Sequence, residues 1–110
     1  MSAAQYNIVV EQGGDFSVVF TLTGITLDSD FSARSQIRKT VDSEAVAAEF
    51  TCTIDTGGNT VTAKLENVKS SAMLAGDYVY DLELVDAGQT PSEITKLVKG
   101  KVTILREVTR

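Results

Sequence analysis

The residues of this chain with the most chemical potential are paired carboxylates, a tyrosine pair and a single thiol. Asp28 and Asp30 flank Ser29, and Asp81 and Glu83 stand two residues apart. Two carboxylates are the minimum equipment of a glycosidase. Clustered carboxylates also begin a calcium site, which takes several oxygen ligands. Asp28-Ser29-Asp30 offers no third or fourth ligand at loop spacing, and aspartates in such a stretch characteristically cap turns. Asp81 and Glu83 alternate with apolar residues, the ordinary outward pattern of a strand. Histidine is absent. That removes the commonest general base, the usual partner of a nucleophilic serine and the commonest metal ligand. Cys52 alternates with Phe50 and Ile54, which places it in a core rather than in the electropositive, partly exposed setting of a reactive thiol. Gly13-Gly14 and Gly57-Gly58 lack the downstream Lys-Ser/Thr or the third glycine of a phosphate loop, so both read as turns. The expectation is a protein that is not an enzyme and has no catalytic residues, cofactor or metal.

The elements that position these residues are strands. Tyr6, Ile8 and Val10 alternate along a first strand, and Gln12-Gly13-Gly14-Asp15 follows as a turn cluster. Phe16, Val18, Phe20 and Leu22 alternate along a second. Ile25 and Leu27, in the connection after it, are expected to tuck over the end of the fold. A third strand runs from Phe31 to Arg38, with Phe31, Ala33, Ser35 and Ile37 on one face and Arg34, Gln36 and Arg38 on the other. Val46 to Ile54 reads as a fourth and Val61 to Leu65 as a fifth. The Asp55-Thr56-Gly57-Gly58-Asn59 turn joins them, its glycines expected to supply positive φ. Asn67 to Ala75 breaks the alternation. Val68, Ala72 and Met73 fall there at helical spacing, which predicts one or two helical turns. Tyr78, Tyr80, Leu82 and Leu84 then point inward along the clearest strand, and Ile94 to Leu105 forms the last, with a bulge expected at Gly100. The predicted core is Ile8, Val10, Phe16, Val18, Phe20, Leu22, Ile37, Phe50, Ile54, Val61, Leu65, Tyr78, Tyr80, Leu82, Val102 and Ile104.

The chain has 110 residues, the size of one domain, so residues 1–110 are read as a single β-sandwich domain. Its net charge of −5 opposes binding to a nucleic-acid backbone, and the short basic stretch from Arg34 to Lys39 does not reverse that. With one cysteine an intrachain disulfide is impossible. The sandwich must hold by packing, and folding in a reducing compartment is the natural inference. No apolar run approaches the roughly 18 residues of a membrane span. Met1-Ser2-Ala3-Ala4-Gln5 has neither the charged nor the apolar region of a signal peptide. No nucleic-acid or membrane partner is expected.

About seven short strands with regularly spaced turns, and no long helix for crossovers, predict an all-β, immunoglobulin-like antiparallel β-sandwich. Leu74-Ala75-Gly76-Asp77-Tyr78-Val79-Tyr80 is similar to the approach to strand F of immunoglobulin domains, where a tyrosine hydroxyl returns to upstream backbone. The short helical turn falls just before it.

A second resemblance covers most of the chain. Gln12-Gly13 with Asp15, Ala33-Arg34-Ser35-Gln36-Ile37-Arg38, Ala75-Gly76-Asp77-Tyr78-Val79-Tyr80-Asp81-Leu82-Glu83-Leu84 and Gly100-Lys101-Val102-Thr103-Ile104 occur in that order. This series resembles small β-sandwich structural proteins of tailed bacteriophages, which stand alone or form N-terminal modules of baseplate and tail-fibre proteins. Leu27-Asp28-Ser29-Asp30-Phe31 replaces the "LTGY" stretch common in that group. The resemblance implies a structural virion protein, made in the host cytoplasm and built into the tail, baseplate or fibre-attachment region. The chain closes with its last strand, which leads to the expectation of an adaptor, hub or decoration protein. The alternatives are a capsid decoration (cement) protein and a carbohydrate-binding module for the host surface. Exposed aromatics would favour the latter, but tryptophan is absent and most Phe and Tyr fall on core positions.

Partners are then other virion proteins, with a homo-oligomer within the particle as a further expectation. The first and last strands, residues 5–11 and 94–105, are expected to be the sheet edges. Tyr6, Ile8, Ile94, Leu97 and Leu105 on them are the candidate contacts, together with Asp28, Asp30 and Phe31 of the loop. A cross-strand charge ladder is expected between Arg34, Gln36 and Arg38 on one strand and Asp81 and Glu83 on its neighbour.

Overall fold

Period-two alternation fixes which face of each segment is buried, and in the computed structural model those faces close around one core. The structure describes residues 4–108; Met1, Ser2 and Ala3 of the N-terminal stretch lie outside it. The described residues form β1 (Ala4–Gln5), β2 (Ile8–Glu11), β3 (Phe16–Thr21), β4 (Phe31–Arg38), β5 (Ala48–Asp55), β6 (Thr60–Leu65), α1 (Asn67–Ala72), β7 (Gly76–Asp86) and β8 (Glu93–Leu105).

The protein is all-β, built as one curled mixed sheet, a half-barrel in the order β1–β8–β7–β4–β5–β6–β3, with β2 also on β8. Two separate antiparallel sheets were the expectation. The difference lies in β5, which changes partner along its length. Ala48 to Phe50 pairs with β4 and Thr51 to Asp55 pairs with β6, so one strand carries the sheet around the corner. The sheet is also not purely antiparallel, because β1 and β2 run parallel to β8.

Ile37, Val61, Leu65, Leu82, Leu84, Val102 and Ile104 are essentially inaccessible, and Tyr78, Tyr80 and Phe50 join them. Phe50 packs edge-on against Tyr80, with ring centroids 5.8 Å apart. The expected core residues Phe16, Val18, Phe20 and Leu22 are only half-buried, because β3 lies at the rim of the half-barrel, and Ile54, near the end of β5, is half-buried too. Leu27 is buried and Ile25 half-buried over the end of the fold, as their alternation required.

Four local expectations are corrected. The bulge sits at Leu97, not Gly100: Leu82 faces Val98 and Glu83 faces Lys96, leaving Leu97 without a partner. Consecutive Leu97 and Val98 are consequently both buried. The positive φ of the β5–β6 turn belongs to Asn59 (55°) rather than to Gly57 or Gly58. Those glycines instead leave room for the Asp55 carboxylate, which accepts the N–H of Gly57 at 3.0 Å. In α1 the buried residue is Ser70, with Met73 buried just beyond, while Val68 and Ala72 face solvent. Last, β8 is not an edge, since β7 covers one side and β1 and β2 the other.

Candidate interaction surfaces

The outer face of β4, β7 and β8 carries the charged residues. Register puts Arg34 opposite Glu83 and Gln36 opposite Asp81. Arg34 Nε donates to Glu83 Oε1 at 2.5 Å. Lys96, from β8, bonds the other Glu83 oxygen and reaches Asp81 Oδ2 at 3.3 Å. Arg38 pairs with Val79 and leaves the row. Its guanidinium donates to the carbonyls of Ser43 and Glu44, both at 2.7 Å, and to Gln36 Oε1 at 2.9 Å. The ladder therefore consists of Arg34, Glu83, Lys96 and Asp81, with Gln36 and Arg38 turned to the loop after β4. Lys96 is the member the strand pattern did not supply, because its place depends on the Leu97 bulge. Together these side chains line a groove with Val79. Glu83 is the most enclosed of them, and exposed ion pairs of this kind contribute about 0.2–1 kcal/mol each.

The loop before β4 is a capped turn. Asp28 Oδ1 accepts the N–H of Asp30 at 2.9 Å, and Asp30 O accepts the N–H of Ala87 at 3.0 Å. Both aspartates are exposed and Phe31 is half-buried. Among the edge candidates, Tyr6, Ile94 and Leu105 are exposed at 45, 51 and 44%. Ile8 and Leu97 are not surface residues. Both are buried in the core, at 2 and 9%, because β8 lies inside the sheet and β2 turns Ile8 toward Val102. The Tyr6 ring is not free either, as it meets Phe20 edge-on at 5.6 Å.

Three polar clips hold these surfaces in place. In the first, the turn after β2 grips α1: Gln12 Nε2 donates to Met73 O at 2.7 Å, Gly13 N–H donates to Ser70 Oγ, and Ser70 Oγ–H donates to Gly14 O. Asp15 Oδ1 accepts the N–H of Asn67 at 2.8 Å, meeting one of the unpaired amides that begin any helix. In the second, Asn59 Nδ2 donates to the carbonyls of Leu22 and Ile25, while its Oδ1 accepts the N–H of Leu27 at 2.8 Å. The third lies across β8. Gly100 has no room for a side chain, because a Cβ there would collide with the Tyr6 carbonyl oxygen. Tyr80 Oη donates to that same carbonyl at 2.6 Å, and Asn7 Oδ1 accepts the N–H of Lys101 at 3.1 Å. Burial, with a smaller push from the Tyr6 phenol, raises the Tyr80 hydroxyl to about 12. Burial likewise pushes the half-buried Cys52 thiol up to about 11, so it remains a protonated, poor nucleophile at neutral pH.

No family model matches this chain, and no curated protein shows significant similarity to it.

Proposed function

We propose that this chain is a non-enzymatic structural component of a phage particle, an adaptor of the tail, baseplate or fibre-attachment region on an immunoglobulin-like frame. The observation that carries this reading is what the motif residues do. Gln12, Gly13 and Asp15 bind α1. Arg34 pairs with Glu83, and Ser35 Oγ donates to Asp81 O. Tyr78 Oη donates to Leu74 O at 2.7 Å, and Gly100 lets the Tyr6 carbonyl approach β8 closely. The blocks that carry the resemblance are thus engaged in holding a frame and its outer faces. The immunoglobulin-like part draws on the Tyr78 return to backbone upstream of its strand and on the parallel pairing of β2 with β8. It also draws on β5 crossing from one half of the sheet to the other. Of the alternatives, a carbohydrate-binding module is the weaker, since Tyr6, the exposed aromatic, lays its ring on Phe20. A capsid decoration protein differs only in location.

The test is the particle itself. Mass spectrometry of purified virions should find the protein at fixed stoichiometry, and tails separated from capsids should retain it. If it is absent from virions, and phage lacking its gene assemble and infect normally, the reading fails.

A further inference from the structure

The rim strand β3 pairs with β6 on one side, and among the described residues no strand pairs with the other. Which of its main-chain groups are free follows from the ladder. Leu22 N–H donates to Asn59 O at 3.0 Å, continuing the β3–β6 register by one residue. Amide groups along an antiparallel strand alternate in direction. Phe16, Val18 and Phe20 share the phase of Leu22 and turn their groups to β6. Ser17, Val19 and Thr21 turn theirs outward.

This edge lacks the residue types that ordinarily blunt one, and its register with β6 has no bulge. From Phe16 to Leu22 there is no charge, no proline and no glycine. Val19 is 57% exposed. The inward side chains Phe16, Val18, Phe20 and Leu22 are half-buried, whereas those of β7 are buried completely. A strand added here would take up the free amide groups and cover what stays exposed of those four side chains, of which Phe20 already meets Tyr6 and Phe16 meets Phe50.

The sequence of the edge identifies the strand that fits. Phe16-Ser17-Val18-Val19-Phe20-Thr21-Leu22 is a chemical palindrome about Val19. Paired antiparallel with its own copy, Phe16 faces Leu22, Ser17 faces Thr21, Val18 faces Phe20, and Val19 faces Val19. Hydroxyl residues meet hydroxyl residues on the outer face, and apolar residues meet apolar residues on the inner one. An axis through Val18 would set Ser17 against Val19. An axis between residues would set inward side chains against outward ones, which a sheet with one buried face excludes. The Val19 axis also places the outward-turned groups of Ser17, Val19 and Thr21 opposite one another, for about six main-chain hydrogen bonds.

We propose that β3 is a dimerisation edge: a second copy of this chain adds its own β3 antiparallel about a two-fold axis through Val19, joining two half-barrels into one continuous sheet. The proposal stands independently of the virion reading, because it concerns the isolated chain.

Sedimentation of the purified protein over a concentration series tests it. The mass should rise with concentration from 11.8 kDa toward twice that value. Val19→Lys sets two ammonium groups against each other at the axis. It should hold the protein at monomer mass at every concentration, with an unchanged circular dichroism spectrum because the position is exposed. In a Cys52→Ser background, Val19→Cys should form a covalent dimer under mild oxidation, since opposed Cα atoms in such a pair lie about 5.5 Å apart. Val9→Cys, equally exposed on β2, should cross-link far more slowly. The proposal is overturned by a wild-type chain that stays monomeric up to its solubility limit, by a Val19→Lys variant that dimerises like wild type, or by equal cross-linking at positions 9 and 19.

Discussion

At one end of the curled sheet the chain lays β1 and β2 against β8; at the other, β3 hangs on β6 and among the described residues no further strand pairs with it. Both are sheet edges, yet they are built on different principles. The first is broken into pieces of two and four residues by a kink at Tyr6 and Asn7, and it ends on the charged Glu11. Main chain and side chains share the work of bridging the break: Tyr6 N–H donates to Lys99 O at 3.0 Å, Asn7 Oδ1 takes the Lys101 amide and Tyr80 Oη reaches the Tyr6 carbonyl. A short, kinked edge of this kind is a poor template for another strand. The β3 edge is six residues long, uncharged and regular over its whole length. The contrast teaches that regularity, not exposure alone, marks an edge as available. Val9 and Val19 are almost equally exposed, at 58 and 57%, but only Val19 sits on an unbroken run.

Amide hydrogen exchange should show the difference most strongly, because local protection ranges from almost none to the full stability of the fold. In dilute protein, Ser17, Val19 and Thr21 should exchange orders of magnitude faster than Val18 and Phe20. The amides of Val98, Lys99 and Val102 to Ile104 should be protected, having strand partners on both sides. Uniform protection along β3 in dilute solution would show that the edge is already covered.

Next in size is Gly100→Ala. The added methyl would strike the Tyr6 carbonyl, which is main chain and cannot swing aside. Forcing an atom into a filled site costs about 1–3 kcal/mol. The urea midpoint should fall accordingly, with the amides of Tyr6 and Lys101 losing protection first. The same substitution at Gly24 meets no atom within 4 Å, and its cost there comes instead from placing an L side chain at φ 81°. If Gly100→Ala leaves the midpoint unchanged, the crossing is looser than the structure has it.

These two sites also show how far sequence pattern reaches. The strands with an unbroken inward row, β4 and β7, are legible residue by residue, because burying one face imposes a period of two. The cap made by Asp28 and the return of Tyr78 to Leu74 are legible too, being contacts between close neighbours in the chain. What alternation does not record is the identity of the neighbouring strand. The parallel partner of β2 and the inner position of β8 are decided by contacts across most of the chain, and the change of partner within β5 by where its pairings with β4 and β6 each stop. Hence Ile8 and Leu97, apolar on supposed edges, read as contact residues when they are core. The polar clips are hidden for the same reason: Ser70 meets Gly13 across 57 residues and Asn59 meets Leu27 across 32. Gly100 carries a visible signal, a glycine inside a strand, but the signal does not distinguish a bulge from a close backbone approach.

The smallest effect expected, and the most specific, comes from Tyr80→Phe. The ring stays in the core, and only the hydroxyl that holds the Tyr6 carbonyl is lost. At neutral pH the variant should be less stable by about 1 kcal/mol, the ordinary net worth of a hydrogen bond. Its pH dependence separates that bond from packing. An unfolded tyrosine titrates near roughly 10, whereas in the folded protein burial raises Tyr80 to about 12. Between those values the unfolded chain has released the proton and the folded one retains it, so alkali favours unfolding. The contribution is complete below the unfolded value and is lost as pH rises to the folded one. The phenylalanine variant has no such proton to release. The stability gap between the two proteins, measured by urea unfolding, should therefore be constant up to about pH 10 and narrow from there toward pH 12. A gap that stays constant across that range would mean that the Tyr80 hydroxyl is open to solvent, and the edge would then be held without it, by Asn7 and the main-chain bonds to β8.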